Sequence, residues 1–246
     1  MGDHSSSKGA RAVPVAPGSA EPSAVASAGG SPGGSVVGDD VGGVGGRKGS
    51  SSAGPLTRER ILEAAEDTLR RFGPGKTTVV DVARALGVSH GTVYRHFASK
   101  TELRDSVLEQ WLERRIAPLG PIVADGGLSP AAEQLHRWLV TLMESKREEA
   151  RNDPDVFAAY AELSAQSREV ILRHVDTLIG QVTRIVASGA ASGEFAVDDP
   201  AVVARAVFDS TARFHHPAHA REWLLPGVDE SFENVWSLIL AGLSSR

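Results

Sequence analysis

The chain of 246 residues contains no cysteine. Disulfides, thiol catalysis and cysteine-type zinc sites are thereby excluded. No run of about 18 apolar residues occurs, so no segment is expected to span a membrane. The N-terminus lacks the apolar stretch of a secretory signal. Its Met-Gly-Asp-His-Ser-Ser opening fits the loose myristoylation pattern, yet only Lys8 and Arg11 lie nearby. One acyl chain without a second anchor holds a membrane weakly. A cytoplasmic protein with no membrane partner is the expectation. Catalytic signatures are missing too: there is no HExxH, P-loop, dinucleotide fingerprint or Ser/His/Asp set. Neither enzyme activity nor a cofactor is expected.

Aromatic residues make up only 5% of the chain, and none falls within residues 1–55. That stretch holds 14 of the 26 glycines, with Ser, Ala and Pro filling most of the rest. Such a composition cannot bury enough surface to offset the entropy of ordering it. Residues 1–55 are read as a disordered tail, in which Arg47 and Lys48 are placed to touch flanking DNA. Net charge is −5, but its distribution is uneven. Residues 56–104 carry nine Lys/Arg against six Asp/Glu, whereas residues 105–246 carry thirteen against twenty-one. A small basic module on an acidic body suits a polyanionic partner met by one part of the molecule only.

Within 56–104 the helix signals are dense. Thr57 caps a first helix with Glu59 in its first turn. Ile61, Ala65, Leu69 and Phe72 follow at helical spacing as one apolar face. Gly73-Pro74-Gly75 ends it. Thr78 opens a second helix, with Asp81 completing a capping box and Val79, Val82, Ala83 and Leu86 facing inward. Gly87 supplies a turn that requires positive φ. Ser89 caps a third helix running to Phe97, in which Val93 and Phe97 face the core and Thr92, Tyr94, Arg95 and His96 cover the outer and flanking faces. Ser99 caps a fourth, with Glu102 closing the reciprocal box and Leu103, Val107 and Trp111 continuing the stripe. A short turn between two such helices, the second polar outside, is a helix-turn-helix over about 78–97.

The run GVSHGTVYRHFASKTEL, residues 87–103, closely resembles the DNA-binding domain of the TetR/AcrR family of bacterial transcriptional regulators. The resemblance implies a sequence-specific DNA-binding regulator, foremost a repressor, whose partner is a double-stranded operator. By position it implies DNA contacts at Thr78, Ser89, His90, Gly91, Thr92, Arg95 and His96, with Tyr94 and Lys100 gripping the backbone. The chemistry agrees. A phenolic hydroxyl, a lysine and capped helix N-termini suit phosphate oxygens, and an outward arginine suits guanine. Tyr94 as a packing residue, and His96 packed against the first helix, remain open alternatives.

From residue 105 onward the pattern is helical, with no strand. Ser129-Pro130, Asp153-Pro154 and Asp199-Pro200 each read as a cap followed by Pro at the first helical position. An amphipathic helix spans 167–191, and a last one about 229–243. The fold class is therefore all-α with about nine helices: an N-terminal helix-turn-helix domain, 56–104, and a helical domain, 105–246. The family resemblance implies that the helices at 200–214 and 229–243 pair two chains as a homodimer; closing the monomer core is the alternative. Two-fold pairing sets the recognition helices about 34 Å apart on a palindromic operator. The resemblance also implies a small hydrophobic or amphipathic effector. Trp138, Leu142, Met143, Phe157, Tyr160, Leu163, Ile171, His174 and Phe208 are the candidates to line its cavity, though residues of this kind at helical spacing more often form solid core. His215, His216 and His219 form the one metal-like cluster. A metal-dependent enzyme or metal sensor, and a ligand-independent DNA-binding protein, are the alternative functions.

Overall fold

The computed structural model describes residues 55–73, 78–125 and 127–244. The tail expected at 1–55 and the Pro74-Gly75 helix stop lie outside those residues, apart from Pro55. Every regular element described is helical. The helices are α1 (Arg58–Phe72), α2 (Val79–Leu86), α3 (His90–Tyr94), α4 (Lys100–Ile116), α5 (Leu119–Val123) and α6 (Ala131–Asn152). They continue with α7 (Pro154–Gln166), α8 (Arg168–Ala191), α9 (Pro200–Ser210), α10 (Ala212–His215) and α11 (Val228–Ser244). Among the described residues one 3-10 turn, Pro217–His219, lies before α11.

Among the described residues eleven helices stand where about nine were expected. One addition is α5, a single turn after Pro118. The other comes from a break in the helix expected across 200–214. At Thr211 the hydroxyl donates back to the carbonyls of Val207 and Phe208, at 3.0 and 3.1 Å. Such back-bonding competes with the helical ladder, and the helix restarts at Ala212 as α10.

The caps explain most boundaries. The Thr57, Thr78, Ser89 and Ser99 hydroxyls accept from the N–H three residues on, and Gly87 sits at φ 67°. Asp153 and Asp199 cap α7 and α9 ahead of their prolines. Two details differ from expectation. Glu102 returns not to the Ser99 N–H but to that of Ala98, at 2.6 Å. Ser129 does not cap α6, whose N-cap is Pro130. Glu194, more than sixty residues away, instead accepts from the N–H groups of Ala131 and Ala132 at 2.6 and 2.8 Å. The next residue, Phe195, is buried against Gly189 of α8, where an added methyl would lie 2.3 Å from its ring.

Two apolar cores form. One gathers α1, α2, α3 and the first three turns of α4, and is closed by Val156, Ala159, Tyr160 and Leu163 of α7. The other is built from α5, α6, α8, α9 and α11 around Trp138, Leu139, Val182 and Phe232. Phe72 joins neither. It is the last residue of α1, followed at once by Gly73 at φ 76°, and is 60% exposed. The boundary expected between residues 104 and 105 falls inside α4, which belongs to both parts.

Candidate nucleic-acid interface and ligand cavity

In the helix-turn-helix, Val93 and Phe97 are buried while Ser89, His90, Gly91, Tyr94, Arg95 and Lys100 are exposed. Thr78, Thr92 and His96 are half-buried. Regular helix covers only His90–Tyr94, shorter than the expected Ser89–Phe97. Arg95 nevertheless keeps helical backbone angles, and the Phe97 N–H still donates to the Val93 carbonyl at 3.1 Å.

Side-chain hydrogen bonds order the outer face. Ser89 Oγ lies 2.9 Å from Thr92 Oγ1, which accepts from the Arg95 guanidinium at 3.2 Å. The His90 and Tyr94 rings meet edge to face at 6.5 Å. Thr78 is committed to its cap: its hydroxyl donates to Asp81 Oδ2 at 2.5 Å. That bond is the largest influence holding the Asp81 carboxyl below its usual range.

Arg58 is the residue missed by sequence reading. Its guanidinium lies 4.0 Å over the Phe97 ring and donates to the His96 carbonyl, to Glu102 at 3.0 Å and to Ser106 at 3.3 Å. The Ala98 N–H, and then Arg58, depress the Glu102 carboxyl pKa. One cation thus clamps the end of α3 to the start of α4. A lone arginine beside the Thr57 cap carries no local signal of this, because its partners lie some forty residues on.

The second site is a cavity of about 490 Å³ between α4, α6, α7, α8, α9 and the segment at 215–218. Leu142, Phe157, Tyr160, Ile171, His174 and Phe208 line it, as do Trp111, Lys146, His215 and His216. Trp138, Met143 and Leu163 do not. Trp138 is fully buried in the larger core, donating to Gln181 at 2.8 Å. Met143 is one residue, about 100° of helix, past Leu142; it is buried in the larger core and borders a cleft lined also by Arg147 and Glu148. Leu163 packs toward the helix-turn-helix core. On α6 the cavity takes Leu142 and Lys146, one turn apart.

Burial governs the ionisable groups here. Desolvation lowers His174 to about 3 and His215 to about 4, with Lys146 adding to both. His215 is held by the Phe208 carbonyl at 3.2 Å and by the Phe208 ring at 4.5 Å. The three clustered histidines go to separate partners. His216 Nδ1 accepts from the Ala218 N–H at 3.2 Å, and His219 pairs with Glu222 at 2.8 Å. Among the described residues no three of His, Asp and Glu converge as a metal centre requires.

Comparison with known proteins places both halves. The family profile described as "Bacterial regulatory proteins, tetR family" matches residues 61–107, and "Tetracyclin repressor-like, C-terminal domain" matches 131–236. The chain belongs to the TetR family. Among TetR-family relatives, the HTH-type transcriptional repressor Rv1474c of Mycobacterium tuberculosis is 33% identical over 112 residues, 44% of this chain. The match spans only 59% of that relative's length. The HTH-type transcriptional repressor KstR2 of Rhodococcus jostii is 27% identical over 197 residues, 76% of this chain and 91% of its own. The fold is shared with SmeT, the repressor of the Stenotrophomonas maltophilia multidrug efflux pump SmeDEF. That structure has a TM-score of 0.56 and 21% identity, over 76% of this chain and 89% of SmeT. Among the described residues no helix is long and apolar enough to cross a membrane.

Proposed function

We propose that this chain is a cytoplasmic, homodimeric, sequence-specific DNA-binding repressor, released from a palindromic operator by a small hydrophobic or amphipathic molecule. The observation that carries the reading is the exposed, hydrogen-bonded outer face of α3, set on a buried core and clamped to α4. Tyr94 and Lys100 stand where a phosphate backbone would be gripped. Arg95 has the fork geometry that reads guanine. Thr78, Ser89, His90, Gly91, Thr92 and His96 complete the surface. The matched repressors named above support the class.

Dimerisation is supported by the apolar side chains that α9 and α11 leave in solvent. Val202 is 64% and Leu238 76% exposed. Small residues on α9 and bulky ones on α11 permit close pairing across a two-fold axis. Effector control is supported by α4 itself, which carries Lys100 at the DNA-facing end and Trp111 and Leu112 in the cavity wall. A ligand that prefers one setting of α4 shifts the operator equilibrium by its differential affinity.

The test is selection of genomic fragments by the purified full chain. One inverted repeat, with half-sites about one helical turn apart, is expected to be enriched over competitor. Enrichment of no sequence refutes the reading.

A further inference from the structure

The cavity's lining has a one-sided chemistry. Its ionisable side chains are Lys146, His174, His215, His216 and Tyr160, and no carboxylate lies among them. The rest is predominantly aliphatic and aromatic. At neutral pH the two most buried imidazoles are uncharged, which leaves Lys146 as the basic group of this wall that an acid would meet.

Lys146 is 7% exposed. Behind it stands a charge imbalance. Glu149, on the next turn of α6, is 7% exposed and is taken by Arg115 of α4 at 2.5 Å. Two cations thus share one buried carboxylate. Among the described residues no acceptor hydrogen-bonds the Lys146 ammonium, which lies over the face of Trp111 at 5.7 Å. Loss of water from such a group costs free energy unless a partner replaces it, and burial accordingly pulls the Lys146 pKa down. Lys146 is itself one of the residues that line the cavity.

We infer that the cavity's ligand is an amphipathic organic acid, with its apolar body among Leu142, Phe157, Ile171 and Phe208 and its anionic group on Lys146. This rests on the effector reading above and narrows it to a chemical class. The anion is the missing fourth member of the Arg115–Glu149–Lys146 group, and its arrival bears directly on α4 through Trp111 and Arg115. A neutral or cationic apolar molecule fills the same volume but leaves the ammonium unpaired.

Calorimetric titration of the full chain with decanoate and with decan-1-ol tests this without DNA. Decanoate should bind one per chain, about ten- to hundredfold tighter than the alcohol, as one charge-assisted hydrogen bond supplies. Lys146→Met should erase that preference while still binding decan-1-ol, and Lys146→Arg should keep it. Circular dichroism checks each variant's helicity. Should Lys146→Met not fold, the acid-to-alcohol ratio of the unaltered chain and of Lys146→Arg decides. Equal binding of acid and alcohol, a preference that survives Lys146→Met, or no saturable decanoate binding overturns the inference. If acid preference holds but no DNA sequence is selected, the regulator reading fails and the ligand class stands.

Discussion

Two glycines on α8 should respond to the same substitution with opposite sign. At Gly189 an added methyl would lie 2.3 and 2.6 Å from two ring carbons of Phe195 and 2.8 Å from the Ala131 methyl. Phe195 is 4% and Ala131 5% exposed, so neither can swing into solvent. Overpacking of this kind costs about 1–3 kcal/mol, and three contacts this short place Gly189→Ala near the upper end. Helix propensity returns about 1 kcal/mol, so the net loss should be about 2 kcal/mol. For a folded region of this size that is a fall in Tm of about 4–8 °C. The damage is focused because Phe195 adjoins Glu194, the cap of α6, and Ala131 is the first residue of that helix. Gly180 sits nine residues earlier on the same helix, exposed, with nothing within 4 Å of the new methyl. Gly180→Ala should stabilise by up to about 1 kcal/mol. Urea unfolding of both variants beside the parent chain measures the difference. Equal midpoints, or a Gly189→Ala chain as stable as the parent, would refute the packing described for α6, α8 and Phe195.

Three further outcomes are expected. Lys100→Ala and Tyr94→Phe should weaken DNA binding alike on all sequences; Lys100→Ala should reduce the slope of log affinity against log salt by about 1, and an unchanged slope rejects its phosphate role. Arg95→Ala should relax preference at one base pair per half-site, at about 1–3 kcal/mol, and a randomised-site selection returning the same motif rejects it as a base reader. His174 and His215, whose folded pKa values of about 3 and 4 lie below the ordinary 6.5, bind protons more readily unfolded; their stabilisation is present above pH 6.5 and is lost as pH falls toward those values. Urea midpoints should therefore drop between pH 7 and 5, before most carboxylates titrate, and a flat profile there contradicts their burial beside Lys146 and His216.

Local chemistry was readable and tertiary phase was not. The caps at Thr57, Thr78, Ser89 and Ser99 each need only three residues to identify, and all were found where the sequence placed them. Glu194 as the cap of α6 could not be, since its partners sit at Ala131 and Ala132. The split of α9 from α10 turns on one threonine hydroxyl, a bond that hydrophobic periodicity does not register. In the cavity, Leu142 was separable from Met143 only by knowing how α6 is rotated against its neighbours. Lys146 stands in a helix rich in charges, and nothing in its local sequence marks it as buried. His215 was grouped with His216 and His219 by adjacency, whereas His215 turns inward to Phe208 and the His216 and His219 rings meet edge to face at 6.4 Å outside it.

The core beneath the DNA-facing helices is completed by Val156, Ala159, Tyr160 and Leu163, residues that lie outside the matched helix-turn-helix profile. The reading head consequently has no floor of its own. Cut out after residue 104, it would lose Val107, Leu108 and Trp111 along with that floor, leaving a bare apolar underside. Grafting this head onto another regulator would require carrying α7's inner face with it, so modularity in the sequence is wider than modularity in the fold.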